Sequence, residues 1–151
     1  MKKPVVLYPL LFLHLFLALT ASIGGALLMI NPDGSLIQMQ PGWLEGSPFS
    51  NYFIPGLLLF TFLGLMSLLT FFGLLMKYDF AAINRLNINK DYHWSWTFSL
   101  YAGISSITWI TVQLSITRYF WIQPVIIFNG LLILVFTLFP GTMNYFSLVK
   151  K

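Results

Sequence analysis

Few side chains in this sequence could carry chemistry. Its 151 residues include 8 Lys and Arg, 4 Asp and Glu, 2 His and no Cys. Without cysteine there is no thiolate nucleophile, disulfide or Cys-based zinc or iron–sulfur site. General acid–base catalysis needs ionisable groups that converge, whereas the four carboxylates are spread along the chain. We predict no catalytic residue, no metal site and no cofactor.

His14 is the ionisable side chain farthest inside an apolar run. Such a residue in a membrane span is a functional candidate by default. A structural, hydrogen-bonded neutral His is the simpler interpretation, because no charged residue is expected at similar depth. Gln113 and Asn129 are possible neutral partners. A haem held by two histidines is not expected, since His14 and His93 would lie at different depths.

Hydroxyl and small side chains form two opposed stripes along the segment 96–117. One contains Ser99, Gly103, Ser106, Ile110, Gln113 and Thr117, and the other contains Thr97, Tyr101, Ser105, Thr108, Val112 and Ser115. We expect this helix to lie between neighbouring helices. The hydroxyls either bond within and between helices, at about 0.6 kcal/mol per contact on average, or line a small cavity. The candidate cavity or ligand-binding residues are His14, Ser99, Ser106, Gln113 and Asn129.

The segment 31–53 is too long for a hairpin turn and too apolar for a solvated loop. It contains the turn Asn31-Pro32-Asp33-Gly34 and the breaks Pro41-Gly42 and Ser47-Pro48. We expect it to lie on the bilayer or to cap the helices. Its candidate functional residues are Asp33, Trp43 and Glu45. An enzyme acting on lipid at this surface through Asp33, Glu45 or His14 is the least favoured hypothesis.

The elements that must position these residues are membrane helices. Charged residues make up 8% of the chain, against about a quarter in soluble domains. The uncharged runs 4–32, 46–76, 92–117 and 119–149 are each long enough to cross a bilayer. The predicted spans are Val5–Ile30, Ile54–Met76, Trp96–Thr117 and Val125–Leu148, with a cytoplasmic loop over 77–95. The predicted fold is an all-α integral membrane protein, an antiparallel four-transmembrane-helix bundle capped by the outer loop.

Basic residues indicate the orientation. Lys and Arg in short loops are retained on the cytoplasmic side. Seven of the eight fall on one predicted side, which contains Lys2, Lys3, Lys77, Arg85, Lys90, Lys150 and Lys151, while Arg118 falls on the other. Both termini are therefore predicted to be cytoplasmic. The scattered basic residues do not indicate nucleic-acid binding. The first apolar run is too long for the core of a signal peptide, so we expect it to be retained.

Small residues predict where the helices meet, because membrane helices associate through close backbone approach and interhelical hydrogen bonds. In the first span His14, Ala18, Ala21, Ser22 and Gly25 form one narrow stripe. In the second span the small positions are Gly56, Gly64, Ser67 and Gly73. Pro140 in the fourth span predicts a kink. The similar hexapeptides at 53–58 and 127–132 leave an internal repeat as an open alternative.

The segments 31–35 and 46–58 have the sequences NPDGS and GSPFSNYFIPGLL. Together they resemble the outer loop of a group of small bacterial membrane proteins with four spans. The resemblance covers about half of the chain. It implies a bacterial inner (plasma) membrane and the same layout, but no activity and no functional residues.

Two functional hypotheses follow. The leading one is a noncatalytic multi-pass membrane protein that acts through helix packing, as a homo-oligomer or as an accessory subunit of a membrane complex. The alternative is binding or transport of a small lipophilic or neutral molecule in a cavity lined by the first, third and fourth spans. The expected partners are membrane lipids and another membrane protein or a second copy of the chain.

Overall fold

A computed structural model of the chain describes residues 2–149, so Lys150 and Lys151, which contributed to the predicted orientation, lie outside the described residues. These residues form six helices and no β-strand, although Tyr92 and Ser147 make an isolated antiparallel bridge. The helices are α1 (Leu7–Ile30), α2 (Phe53–Met76), α3 (Ala81–Asn84), α4 (Trp94–Ile116), α5 (Ile122–Thr137) and α6 (Pro140–Phe146). The prediction of an all-helical chain is confirmed.

Two of these helices, α1 and α2, are each 24 residues long and apolar enough to cross a membrane. A third span exists if α5 and α6 are taken as one bent span. Within residues 2–149 the structure thus has two, or up to three, candidate membrane spans. The predicted first three spans match the helix bounds to within two residues, whereas the fourth, Val125–Leu148, is replaced by two helices.

The long helices form a ring in which each contacts two neighbours. α1 packs against α2 and α5, and α4 packs against α5 and α2. α4 meets α2 along Leu59–Met76, while the first part of α2, Phe53–Leu58, packs mainly on α1. α1 and α4 therefore face each other diagonally. The core between the helices includes Leu10, Leu17, Leu63, Leu74 and Ile133, which are almost completely buried.

Glycines set the two closest helix crossings. A Cβ on Gly25 of α1 would lie 2.6 Å from the carbonyl oxygen of Gly56 in α2, and one on Gly56 would meet Leu28. In the second crossing, a Cβ on Gly103 of α4 would lie 3.1 Å from the carbonyl oxygen of Gly130 in α5. Any larger residue would push the backbones apart. The small-residue stripes of the first two spans thus lie where the helices meet.

The chain bends by 64° between α5 and α6. Pro140 opens α6 because it has no amide hydrogen to donate to the preceding turn. The break leaves the carbonyl of Thr137 without its usual helical donor, and the indole Nε1 of Trp96 donates to it at 2.9 Å. The kink predicted at Pro140 is a full helix break, and a tryptophan from α4 stabilises it.

The segment between α1 and α2 folds over the ends of these helices. It contains two single turns of 3₁₀ helix, Ser35–Ile37 and Pro41–Leu44. Met39, Leu44 and Tyr52 form a second apolar cluster with Leu28 of α1. The Tyr52 hydroxyl donates to the carbonyl of Gln40 at 2.7 Å and holds the segment in place. We call residues 31–52 the outer cap, the end of the bundle that it covers the outer end, and the opposite end the inner end.

The first prediction concerns the α1–α2 crossing. Gly25→Ala places a methyl group against the backbone of α2 and should lower the free energy of unfolding by about 1–3 kcal/mol. Gly24→Ala is the matched control, since its Cβ would meet only Leu59, at 3.7 Å. The control should be neutral or stabilising, because Ala favours helix over Gly by up to about 1 kcal/mol. Denaturation followed by circular dichroism in detergent measures both. Equal stability of the two variants would show that the crossing is not tightly packed.

Candidate functional site

The structure contains a cavity of about 260 Å³ directly beneath the outer cap. Its walls come from the outer ends of α1, α2 and α4, and the cap covers it. The residues that line it are Leu28, Met39, Leu44, Phe49, Tyr52, Pro55, Leu58, Leu59, Trp109, Val112, Gln113 and Thr117. Ten of these twelve are apolar or aromatic, so the cavity is suited to a hydrocarbon group.

The cavity exists because α2 and α4 separate towards their outer ends. α2 is widened into a π-helix over Leu59–Leu65, next to the lining residues Leu58 and Leu59. On the other side, Gly64 lies against Ser22 of α1, where an added Cβ would be 2.5 Å from the Ser22 hydroxyl. The outer segment of α2 is thus held on α1 and away from α4. Widened turns of this kind often occur at functional sites.

Two polar side chains lie among the lining residues. The Thr117 hydroxyl donates to the Gln113 carbonyl of its own helix, at 2.8 Å. The Gln113 side-chain amide makes no hydrogen bond with any described residue, and it is only partly buried. It is therefore a donor and acceptor available to a bound molecule. Burial raises the pKa of Tyr52, so this residue stays a neutral part of the cover.

A second polar arrangement crosses the centre of the bundle, where His14 of α1, Ser99 of α4 and Thr137 of α5 are fully buried. The Nε2 atom of His14 lies 2.8 Å from Ser99 Oγ, which lies 2.6 Å from Thr137 Oγ1. Thr137 donates to the carbonyl of Ile133 at 2.6 Å. Because that hydroxyl proton is used, Thr137 must accept from Ser99, and Ser99 must accept from His14. His14 therefore carries its proton on Nε2.

This row of three hydrogen-bonded side chains, the buried chain, does not reach solvent or a charged residue within 2–149. The other ring nitrogen of His14, Nδ1, is buried without a hydrogen-bond partner among the described residues. The arrangement joins three helices through neutral groups, and it stabilises their contact. Thr137 was missed by the sequence analysis. Its spacing of four and eight residues from Ile133 and Asn129 places it on the buried face of α5, and this signal could have identified it.

Of the five predicted cavity residues, Gln113 lines the cavity beneath the cap and the other four are buried between the helices. His14 and Ser99 belong to the buried chain, Ser106 donates to the Ala102 carbonyl within α4 at 2.7 Å, and the Asn129 amide reaches the Leu13 carbonyl at 3.5 Å. The cavity that the structure shows is thus lined by α1, α2 and α4 and not by α5. The glycine crossing of α4 and α5 brings those two helices too close for a space between them.

The outer-loop candidates lie on the cap and not in the bundle. Asp33 accepts a hydrogen bond from the Ser35 amide at 2.7 Å, which lowers the pKa of its carboxyl and identifies it as a turn residue. It also lines a shallow depression of about 210 Å³ on the cap. The Trp43 ring lies 6.0 Å from the Phe120 ring, centre to centre. Glu45 is exposed and follows the lining residue Leu44.

At the opposite, inner end of the bundle, His93 caps the start of α4. Its Nδ1 accepts from the Ser95 amide, so the neutral ring carries its proton on Nε2, which lies 3.3 Å from Asp79 Oδ1. At this geometry the His93 ring and the Asp79 carboxylate interact electrostatically but do not form a hydrogen bond. Burial lowers the pKa of His93, the Asp79 carboxylate opposes this shift, and Lys77 adds to it. Sequence analysis did not identify this group, since its members lie near opposite ends of residues 77–93, the inner loop between α2 and α4.

The buried chain yields a prediction. Ser99→Ala removes the partner of both His14 and Thr137 and should lower the free energy of unfolding by about 1–2 kcal/mol. Ser115→Ala is the control on the same helix, since the exposed Ser115 hydroxyl bonds only to the Thr111 carbonyl of α4. Its effect should stay within about 0.5 kcal/mol. Unfolding in detergent measures both, and equal losses would contradict a stabilising role of the chain.

A further prediction concerns pH. As the pH falls below about 6.5, the ordinary pKa of His, the unfolded chain takes up a proton that folded His93 resists. Neutral His93 therefore contributes stability that is fully present above this pH. That contribution is lost as the pH falls towards the lower pKa of His93 in the folded protein. The thermal midpoint of the wild type should fall more between about pH 7.5 and about pH 5.5 than that of His93→Gln. Asp79→Asn should increase the loss, because it removes the charge that supports protonation. Identical pH profiles would contradict the assignment.

Comparison of the sequence with family models, with curated proteins and with solved structures finds no match. The resemblance of 31–35 and 46–58 to the outer loop of small bacterial membrane proteins stays a prediction. The function of the chain is therefore inferred from its cavity and from the contacts around it.

Proposed function

We propose that this chain is a noncatalytic integral membrane protein that binds a small lipophilic molecule in the cavity beneath its outer cap. The observation that carries the proposal is the apolar cavity of about 260 Å³ between α1, α2 and α4. This is the binding hypothesis of the sequence analysis, with α2 in place of the fourth span. The leading hypothesis there, a protein that acts through packing alone, gives this space no role.

The proposal includes four membrane crossings, formed by α1, α2, α4 and the bent pair α5–α6. Support comes from the contacts of α4, which packs against α5 and, along Leu59–Met76, against the candidate span α2. α4 is less apolar than its neighbours because it contains many hydroxyl side chains, several of which are satisfied by hydrogen bonds to their own helix or to α5. With an even number of crossings, both termini lie on one side. The basic residues favour the cytoplasmic side of a bacterial inner membrane.

The size and lining of the cavity favour a hydrocarbon ligand. An engineered apolar protein cavity of about 150 Å³ stays dry and binds benzene. A space of about 260 Å³ with a similar lining can hold a longer hydrocarbon segment. A polar solute would lose its hydration in this cavity and find few partners, since Gln113 and Thr117 provide the polar side chains of the wall.

The cavity can be entered from the lipid side. Val112 lines it, yet 48% of this residue is exposed on the surface of α4. Pro55 and Phe49, on the α2 and cap sides, line the cavity and are partly exposed as well. An opening between α2 and α4 therefore faces the region where lipid chains lie if both helices cross the bilayer. A ligand dissolved in the outer leaflet can enter without crossing water.

Two adjacent substitutions test this proposal. Leu58→Trp places a large ring in the cavity, whereas Leu57→Trp places the same ring on a neighbouring residue that is 38% exposed and does not line the cavity. Native mass spectrometry of the protein purified from membranes measures noncovalently bound lipophilic molecules. We expect the wild type and Leu57→Trp to retain such a molecule, and Leu58→Trp to lose about tenfold or more of it, since the filled space removes most of its apolar contact.

Thermal unfolding in detergent serves as the folding control for both variants. Equal retention by the two variants, at equal stability, would contradict binding in the cavity. A wild type that carries no lipophilic molecule and gains none when dodecanol is added would contradict it as well. The packing hypothesis would then remain, and native gels and crosslinking in membranes would be its test.

A further inference from the structure

Two opposite charges flank the cavity at the outer end of the bundle. Leu44 of the cap and Thr117 of α4 both line the cavity. Glu45 follows the first of them and Arg118 follows the second, and both charged residues are exposed. Each of the two charged residues is therefore next in the chain to a residue that lines the cavity.

An aromatic contact brings these two segments together. The rings of Trp43 and Phe120 lie 6.0 Å apart, centre to centre. Trp43 precedes Glu45 by two residues, and Phe120 follows Arg118 by two residues. The cap and the end of α4 thus meet where the two charges occur. Yet Glu45 and Arg118 form no ion pair with each other or with any other residue in 2–149. The contact of this kind within 2–149 joins His93 and Asp79.

We propose that the ligand is a phospholipid of the outer leaflet with a zwitterionic phosphoethanolamine headgroup, one acyl chain of which enters the cavity. This inference rests on the proposed function and adds the class of ligand. The phosphate lies at Arg118, whose planar guanidinium suits phosphate oxygens, and the ammonium group lies at Glu45. Gln113, with its unpaired amide, lines the cavity one helical turn from Thr117.

The pair of charges distinguishes this headgroup from others. A phosphatidylglycerol headgroup has the phosphate for Arg118 but brings no cation to Glu45. A phosphatidylcholine headgroup has both charges, but its quaternary ammonium has no hydrogen to donate to a carboxylate. The primary ammonium of phosphoethanolamine offers three donors, as does the ammonium of lysine. Asp33 is a weaker candidate for this role, since its carboxylate already accepts from the Ser35 amide.

Lipid competition tests the inference. The delipidated wild type is mixed in detergent with equimolar phosphatidylethanolamine, phosphatidylglycerol and phosphatidylcholine of identical acyl chains, and bound lipids are counted by native mass spectrometry. We expect phosphatidylethanolamine to be enriched about two- to five-fold over each of the others, the range typical of an exposed charge pair. Glu45→Gln should remove the enrichment, and Arg118→Gln should lower the retention of all three lipids.

Exposed charges of the inner loop provide the controls. Asp91→Asn and Arg85→Gln make the same chemical changes far from the cavity, and both should bind as the wild type does. Leu58→Trp is measured in the same mixture. Loss of lipid in Leu58→Trp together with equal retention of the three headgroups in the wild type would overturn the headgroup inference and leave the proposed function standing. Equal retention by Leu58→Trp and the wild type would overturn the proposed function itself. An unchanged headgroup preference in Glu45→Gln would overturn the role of that carboxylate and hence the inference.

Discussion

The structure depends on how closely its helices can approach. In lipid the hydrophobic effect does not hold apolar helices together, so contact must come from van der Waals packing and a few interhelical hydrogen bonds. Gly25 against Gly56 and Gly103 against Gly130 provide the close backbone contact for two hairpins, α1–α2 and α4–α5. The fully buried chain from His14 through Ser99 to Thr137 then joins the two hairpins across the bundle. Steric fit and a small number of directed bonds therefore position the helices around their apolar core.

The cavity is a consequence of the same packing. Because the glycine crossing and the contact of Gly64 with Ser22 hold α2 on α1, the outer part of α2 stays away from α4. The π-helical segment of α2 lies beside this separation, and the outer cap covers it. The buried polar chain, by contrast, lies where helices are close. The cavity and the stabilising polar chain thus occupy different regions of the molecule.

Several features were predictable because they follow from local chemistry. The small residues of the first two spans mark real contacts, and the bounds of three long helices are reproduced to within two residues. The break before Pro140 follows from its missing amide, but the size of the bend and the supporting bond from Trp96 do not. The second polar stripe of α4 is buried at Thr97 and exposed at Thr108 and Ser115, because α4 has close neighbours only along part of its length. A repeating pattern cannot show where a neighbouring helix diverges.

The sequence by itself indicated a membrane environment and predicted the three longest helices. A charged fraction of 8% and long uncharged runs leave membrane helices as the consistent solution, since backbone groups in lipid must be bonded within their own segment. Only the tertiary structure decided which polar residues meet. Gln113 and Ser99 lie on the same predicted stripe, yet the first lines the cavity and the second is buried in the chain with His14. The physical reason is that helical periodicity defines a face, whereas distances between helices depend on side chains that are remote in the sequence.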